Sequence, residues 1–312
     1  MIEKFSSTKG ENMKVGLVID NSANMSSDDL VKCDVKKVIP ISFVINGEEY
    51  YEGVNLTQDQ FFEFMKDKNT EASTSQPSIE TVKEGWREVL TSCDEIVYII
   101  LSSGLSEACN AALNASHEEE FMGRVFVVNN QRVSYINKMA MFQAAELIRR
   151  GKSAKEIKTY LEDTKAENGA YIAVDTLKFL KKGGRITPAA AAIGTLLNIK
   201  PILQLHGGKL DAYAKVLSMK QAKAKMINAV KKEIEDKFSE EAKQGMVSIS
   251  VVHSVSEKNQ KDLDVFMAEV KEAFADLPFF VCDALPLFVS CHTGAGALAV
   301  GYVVDRLGIL SK

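Results

Sequence analysis

Two hydroxyl-rich stretches, Ser73-Thr74-Ser75-Gln76-Pro77-Ser78 and Ser102-Ser103-Gly104-Leu105-Ser106, offer the first candidate chemistry in this sequence. The second lies where the apolar run Glu95–Leu101 meets a helix. Both read as carboxyl ends of an open α/β layer, the place where such folds bind ligands. Each also reads as a simple helix N-cap, through Ser78 and through Ser103 or Ser106. Near the far end of the chain, His292-Thr293 runs into Gly294-Ala295-Gly296-Ala297-Leu298-Ala299. Neutral hydroxyls, an imidazole and backbone amides suit a carboxylate head group without burying a lysine beside an apolar tail. The glycine stretch matches G-x-G-x-x-[GA], but no helix, strand and acidic ribose ligand follow it as a dinucleotide site requires. It is read as a turn after an apolar strand, with Gly294 and Gly296 facing an anion or simply packing tightly. In Leu180-Lys181-Lys182-Gly183-Gly184-Arg185-Ile186, Lys181 and Lys182 complement a helix C-terminus and Gly183 is the expected left-handed cap. That leaves Arg185 for a phosphate or an acidic partner.

Other chemistries find little support. No G-x-x-x-x-G-K-[ST], H-E-x-x-H or G-x-S-x-G motif occurs. His117, His206, His253 and His292 are far apart in sequence, and no metal site is expected from them. Cys33, Cys93, Cys109, Cys282 and Cys291 are odd in number and widely spaced, as buried thiols of a reducing compartment would be. The 38 basic and 42 acidic residues leave a charge of -4, so no cationic footprint for nucleic acid or anionic membrane exists. No apolar run is long enough for a membrane span and no secretory leader is evident, which gives a cytoplasmic expectation.

The elements that must position these residues follow from pattern. Strands are expected at Val15–Ile19, Val38–Ile45, Glu95–Leu101 and Arg124–Val128, with an Asn46-Gly47 hairpin. Helices are expected after the caps Thr57 and Ser78, over Leu105–Glu118, over Val133–Arg150 with one apolar face, and over Ala154–Lys165. Beyond Glu167-Asn168-Gly169 the pattern changes. Strands are expected at Tyr171–Asp175, Lys200–Leu205, Leu210–Val216, Val247–His253 and Phe279–Asp283. Helices are expected over Ala189–Leu197, Met219–Phe238 and Glu257–Phe274. The expected organisation is a flexible extension over residues 1–13, an amino-terminal domain over 14–167 and a carboxyl-terminal domain over 168–312. The fold class is α/β, a mostly parallel sheet with flanking helices followed by a mixed α+β domain.

Taken in order, Val18-Ile19-Asp20-Asn21-Ser22, Thr74-Ser75-Gln76-Pro77-Ser78, Ser102-Ser103-Gly104-Leu105-Ser106, Leu180–Ile186 and His292–Leu298 resemble the motifs of the DegV family. The resemblance implies a two-domain protein that holds a long-chain fatty acid between its domains. It further implies the non-catalytic binding subunit of a bacterial fatty-acid kinase, whose separate catalytic subunit carries ATP and forms an acyl phosphate. By the same resemblance Thr74 or Ser75, Ser102 or Ser103, and His292 with Thr293 bind the carboxylate, while Arg185 faces the catalytic subunit. No cofactor is implied beyond the fatty acid. The chain departs from the family pattern at Asn21, at Glu107-Ala108 where Gly-Thr is usual, and at Ala295 where Pro is usual. Two alternatives stay open: an acyl-ester hydrolase using Ser103 and His292, and a passive lipid carrier or sensor without a kinase partner.

Overall fold

Strand-forming runs and well-capped helices alternate through the first half of the computed structural model, which describes residues 13–67, 69–193, 199–254, 260–277 and 279–309. The expected extension over residues 1–13 thus lies, except for its last residue, outside the described residues. The first half runs β1 (Val15–Asp20), α1 (Ser27–Lys32), β2 (Val35–Ile39), β3 (Ser42–Ile45), β4 (Glu48–Tyr50), α2 (Gln58–Phe64) and β5 (Ala72–Ser75). It continues α3 (Ile79–Leu90), β6 (Glu95–Ile99), α4 (Ala108–Ala115), β7 (Val125–Val128), α5 (Ser134–Arg149) and α6 (Ala154–Asp163). The second half comprises β8 (Asn168–Ala173), α7 (Lys178–Gly183), α8 (Pro188–Ile193), β9 (Lys200–Leu205), β10 (Asp211–Val216), α9 (Met219–Lys237) and α10 (Ser239–Lys243). It ends β11 (Val247–His253), α11 (Gln260–Ala273), β12 (Phe279–Ala284), α12 (Leu287–Thr293) and β13 (Leu298–Val304).

Local chemistry accounts for many of these boundaries. Thr57 forms a reciprocal capping box with Gln60, and the Ser78 hydroxyl accepts the Thr81 N–H at 3.0 Å. Asn46 and Gly47 both have positive φ, the requirement of the tight turn joining β3 to β4. Ser106 accepts the Ala108 N–H at 3.2 Å, so the helix expected from Leu105 begins three residues later, after a turn. The second half of the helix expected over Ala189–Leu197 and the first residues of the one expected over Glu257–Phe274 are not covered, since residues 194–198 and 255–259 lie outside the described residues.

Three sheets result. Strands β2-β1-β6-β7 form an all-parallel sheet, β4-β3-β5 a small antiparallel one, and β10-β9-β8-β13-β11-β12 a mixed sheet in which only β11 and β12 run parallel. Thr74 and Ser75 therefore belong to a strand of the small sheet, not to the carboxyl end of a parallel strand. A four-residue strand with three hydroxyl residues, Ala72–Ser75, carries no apolar alternation by which sequence could mark it.

Helix α5 sits between the parallel and mixed sheets. Its Ala140, Met141 and Ala144 pack with the parallel sheet, while Tyr135, Ile136 and Met139 join a core shared with Ile172, Leu205 and Phe288. A helix covered on both sides loses the single apolar stripe expected of it, and Asn137, Lys138 and Gln143 are buried as well. Several of these polar groups take part in a network. Asn137 donates to Ser22 Oγ at 2.9 Å, Asn130 donates to Asn137 at 2.9 Å, and Arg132 donates to Gln143 at 3.0 Å and to the Thr164 carbonyl at 2.8 Å.

Candidate functional site

At the carboxyl edge of the parallel sheet, Asp20 accepts the Ser22 N–H at 3.0 Å and the Leu101 N–H at 2.7 Å. Burial pushes this carboxyl up to about 6, against the lowering effect of its hydrogen bonds. Its contacts tie the end of β1 to the start of the Ser102–Ser106 turn, which makes Asp20 a positioning residue. The turn itself closes when the Leu105 and Ser106 amides donate to the Ser102 carbonyl at 3.0 and 3.1 Å. Ser102 is buried and its hydroxyl accepts the Gly104 N–H at 3.2 Å; Ser103 is half-buried.

The turn meets the second half of the chain at very close range. A Cβ built on Gly104 would fall 2.1 Å from Gly208 Cα and 2.4 Å from its carbonyl carbon, so bare backbone packs on bare backbone. Arg185 completes the junction, donating from Nε to the Leu105 carbonyl at 3.1 Å and from a terminal nitrogen to the Gly183 carbonyl. Sequence separates Arg185 from the hydroxyl stretches, but the fold brings its guanidinium against one of them.

Helix α12 supplies the imidazole. The sequence reading has an apolar strand before the glycine turn, whereas Leu287–Thr293 is helical after Pro286; a short run apolar on all sides does not distinguish the two. His292 Nε2 lies 3.1 Å from Thr74 Oγ1, joining the small sheet to this helix. Its other nitrogen abuts α7, since a Cβ on Gly183 would stand 2.6 Å from His292 Nδ1. Gly183 thus makes room for the ring and is the last helical residue, while Gly184, at φ 70°, takes the left-handed cap expected of Gly183. Burial pushes His292 down to about 4, with the Arg185 cation adding to the effect, so the imidazole is neutral at neutral pH.

The glycine turn is directed inward. Gly294 N–H donates to the Ser290 carbonyl at 2.8 Å and Gly296 N–H to the Ser254 carbonyl at 2.9 Å. A Cβ at either position would strike the Phe179 ring or the Asp175 carboxylate, at 2.9 and 2.7 Å. Both amides are engaged by protein carbonyls, and the glycines serve close packing.

These elements enclose a cavity of about 380 Å³. Leu101, Ile136, Ile172, Leu205, Leu285 and Phe288 give it apolar walls, while Thr74, His292, Thr293, Arg185 and Ser106 supply polar groups. Ser75, Ser102 and Ser103 do not line it. Volume and lining suit a ligand with a long apolar body and a small polar head. Glu107 and Ala108 border the cavity too. Among the described residues no group of three or more His, Cys, Asp or Glu side chains suits a metal, and no helix is long and apolar enough to cross a membrane.

Sequence reading assigned no role to Glu52, which accepts the Leu287 N–H at 3.0 Å at the start of α12. Burial pushes its carboxyl up to about 7, the Leu287 amide opposes this, and Asp283 adds repulsion. With the folded value above the unfolded one, Glu52 contributes stability in full below its ordinary range near 4.5, and this is lost as pH rises through about 7. The loss is on the order of 3 kcal/mol at most. Glu52→Gln keeps an acceptor for Leu287 and removes the charge. The variant is therefore expected to be more stable than the parent by about 1–3 kcal/mol at alkaline pH and equal to it below pH ~4, as read by urea unfolding at both.

Comparison with known proteins places this architecture. The family described as uncharacterised protein, DegV family, matches residues 14–305. A DegV domain-containing protein of Deinococcus radiodurans is 30% identical over 290 residues, covering 92% of this chain and 98% of that one. A solved DegV family protein from Thermus thermophilus, described by its fatty-acid binding, superposes with a TM-score of 0.81 at 28% identity, over 94% of this chain and all (100%) of its own. DegV of Bacillus subtilis, described as a fatty acid binding protein, gives 0.76 at 26% identity over 94% and 100% of the two chains. With its motifs in order and the family match running from the first strand to just past the last, this chain belongs to the DegV family.

Proposed function

We propose that the protein binds one long-chain fatty acid in the cavity between its two halves, residues 14–167 and 168–312. In this reading the carboxylate lies against Thr74, His292 and Thr293, with Arg185 alongside. The observation that carries it is the cavity: apolar for most of its surface, with a neutral imidazole, a hydroxyl and a guanidinium gathered on its wall. Burying an acyl chain of about sixteen carbons contributes on the order of 10 kcal/mol. That exceeds the cost of ordering the ligand and leaves ample affinity. The solved relatives from Thermus thermophilus and Bacillus subtilis, both described as fatty-acid binding, support the assignment.

The protein's role is to present the carboxylate to a separate ATP-bearing kinase subunit, which forms the acyl phosphate. Arg185 stands beside the head group, where it favours the charge of carboxylate or phosphate. Hydrolysis by Ser103 and His292 is disfavoured. His292 Nε2 contacts Thr74, and an imidazole held near 4 is a weak general base at neutral pH. The test is a titration of delipidated protein with stearic acid and with its methyl ester. The ester is expected to bind at least about tenfold more weakly, the loss of one or more charge-assisted bonds. Equal affinities would remove the carboxylate from the recognition. Acyl-phosphate formation from the bound acid with a kinase subunit and ATP is the readout for presentation.

A further inference from the structure

Along β11 the side chains alternate between two environments. Val247, Ile249 and Val251 enter the core beneath α9 and α11, while Ser250 and Val252 line the cavity. Strand register places Ser250 opposite Gly301, and Gly301 opposite Ala170, so three small residues form one row across the cavity floor. The neighbouring row, Val252, Ala299 and Ile172, is larger and wholly apolar. Ser250 is only 2% exposed. It lines the cavity, and its hydroxyl oxygen lies 3.4 Å from where a Gly301 Cβ would be. The floor thus holds a hydroxyl beside a bare glycine, in a wall where valine or alanine would otherwise serve.

A plain acyl chain lying against this hydroxyl takes water from it and returns no hydrogen bond, at a cost of about 1–3 kcal/mol. The carboxylate at His292 does not offset that cost. Strand β13 leads away from the glycine turn beside His292, and Gly301 lies three residues along it from Leu298, about 10 Å at ~3.3 Å per residue. The Ser250 row therefore faces the body of the acyl chain and not its head.

We infer that Ser250 is a specificity-determining residue for an acyl chain carrying an oxygen function along its length, a hydroxy fatty acid. A ligand hydroxyl lying against the row Ala170-Gly301-Ser250 forms one hydrogen bond with Ser250 Oγ, as donor or as acceptor. This inference rests on the fatty-acid reading above and deepens it.

The experiment compares stearic acid with its monohydroxy isomers, substituted from mid-chain to the distal end, on delipidated full-length protein and on Ser250→Ala. At least one isomer should bind the parent about 2- to 10-fold more tightly than stearic acid. Ser250→Ala should abolish that preference, so that the preferred isomer binds no more tightly than stearic acid. A preference that survives Ser250→Ala would overturn the inference, as would the absence of any preferred isomer in the parent; the latter needs no variant to fold. An ordered water satisfying Ser250 in every complex gives that second result. Failure of stearic acid and all its isomers to bind is a separate outcome, which removes the fatty-acid reading itself.

Discussion

Combining Thr74→Val with His292→Ala is expected to weaken fatty-acid binding by about 2–4 kcal/mol, roughly 30- to 1000-fold in Kd. Each residue offers a hydrogen bond to a charged acceptor inside a water-poor cavity, where such bonds are strongest. Valine matches threonine in shape and strand preference, so β5 should persist. Because Thr74 Oγ1 and His292 Nε2 lie 3.1 Å apart, the single variants should be non-additive: losing either frees or misplaces the other. Isothermal titration of both single variants and the double variant measures this coupling. A double variant within threefold of the parent would place the carboxylate elsewhere in the cavity.

The second large effect concerns Gly104, where no rotamer change can relieve a clash. Alanine there puts a methyl group 2.1 Å from the Cα of Gly208, which is itself held at φ +70°. Backbone on both sides must move, and the Ser102–Ser106 turn must part from the β9–β10 connection. Overpacking of ordinary side-chain contacts costs about 1–3 kcal/mol, and a backbone clash belongs at or above the upper end. Gly104→Ala should therefore lose about 3 kcal/mol or more, and bind fatty acid more weakly, because Leu105 and Arg185 hold one wall of the cavity together. Denaturant unfolding and lipid titration read the two losses. Parent-like stability would show that the two glycines part at negligible cost.

Much of this arrangement is legible in the sequence because it is local. Strand β11 has the boundaries its apolar run predicts, and Thr57, Ser78 and the Asn46-Gly47 turn act where short-range chemistry places them. Ordered motifs likewise bring out Thr74, Arg185 and His292. What escapes is set by contacts between distant segments. Nothing in the residues around Glu52 announces that it caps a helix more than two hundred positions away. Burial of α5 on two sides, the fit of His292 against Gly183, and the exposure of Ser250 to a cavity depend on which sheets are stacked. Helix α12 shows the same limit, since a short apolar run takes its form from its surroundings.

The central claim, that the cavity holds a long-chain fatty acid, is tested most directly by denaturing mass spectrometry of lipid released from purified protein. An apolar chamber of about 380 Å³ with a carboxylate-binding wall should retain its ligand through purification. The expected result is about one equivalent of long-chain fatty acid per chain, released only on unfolding and restored when delipidated protein meets added acid. Protein that emerges lipid-free and also takes up no added fatty acid would contradict the account.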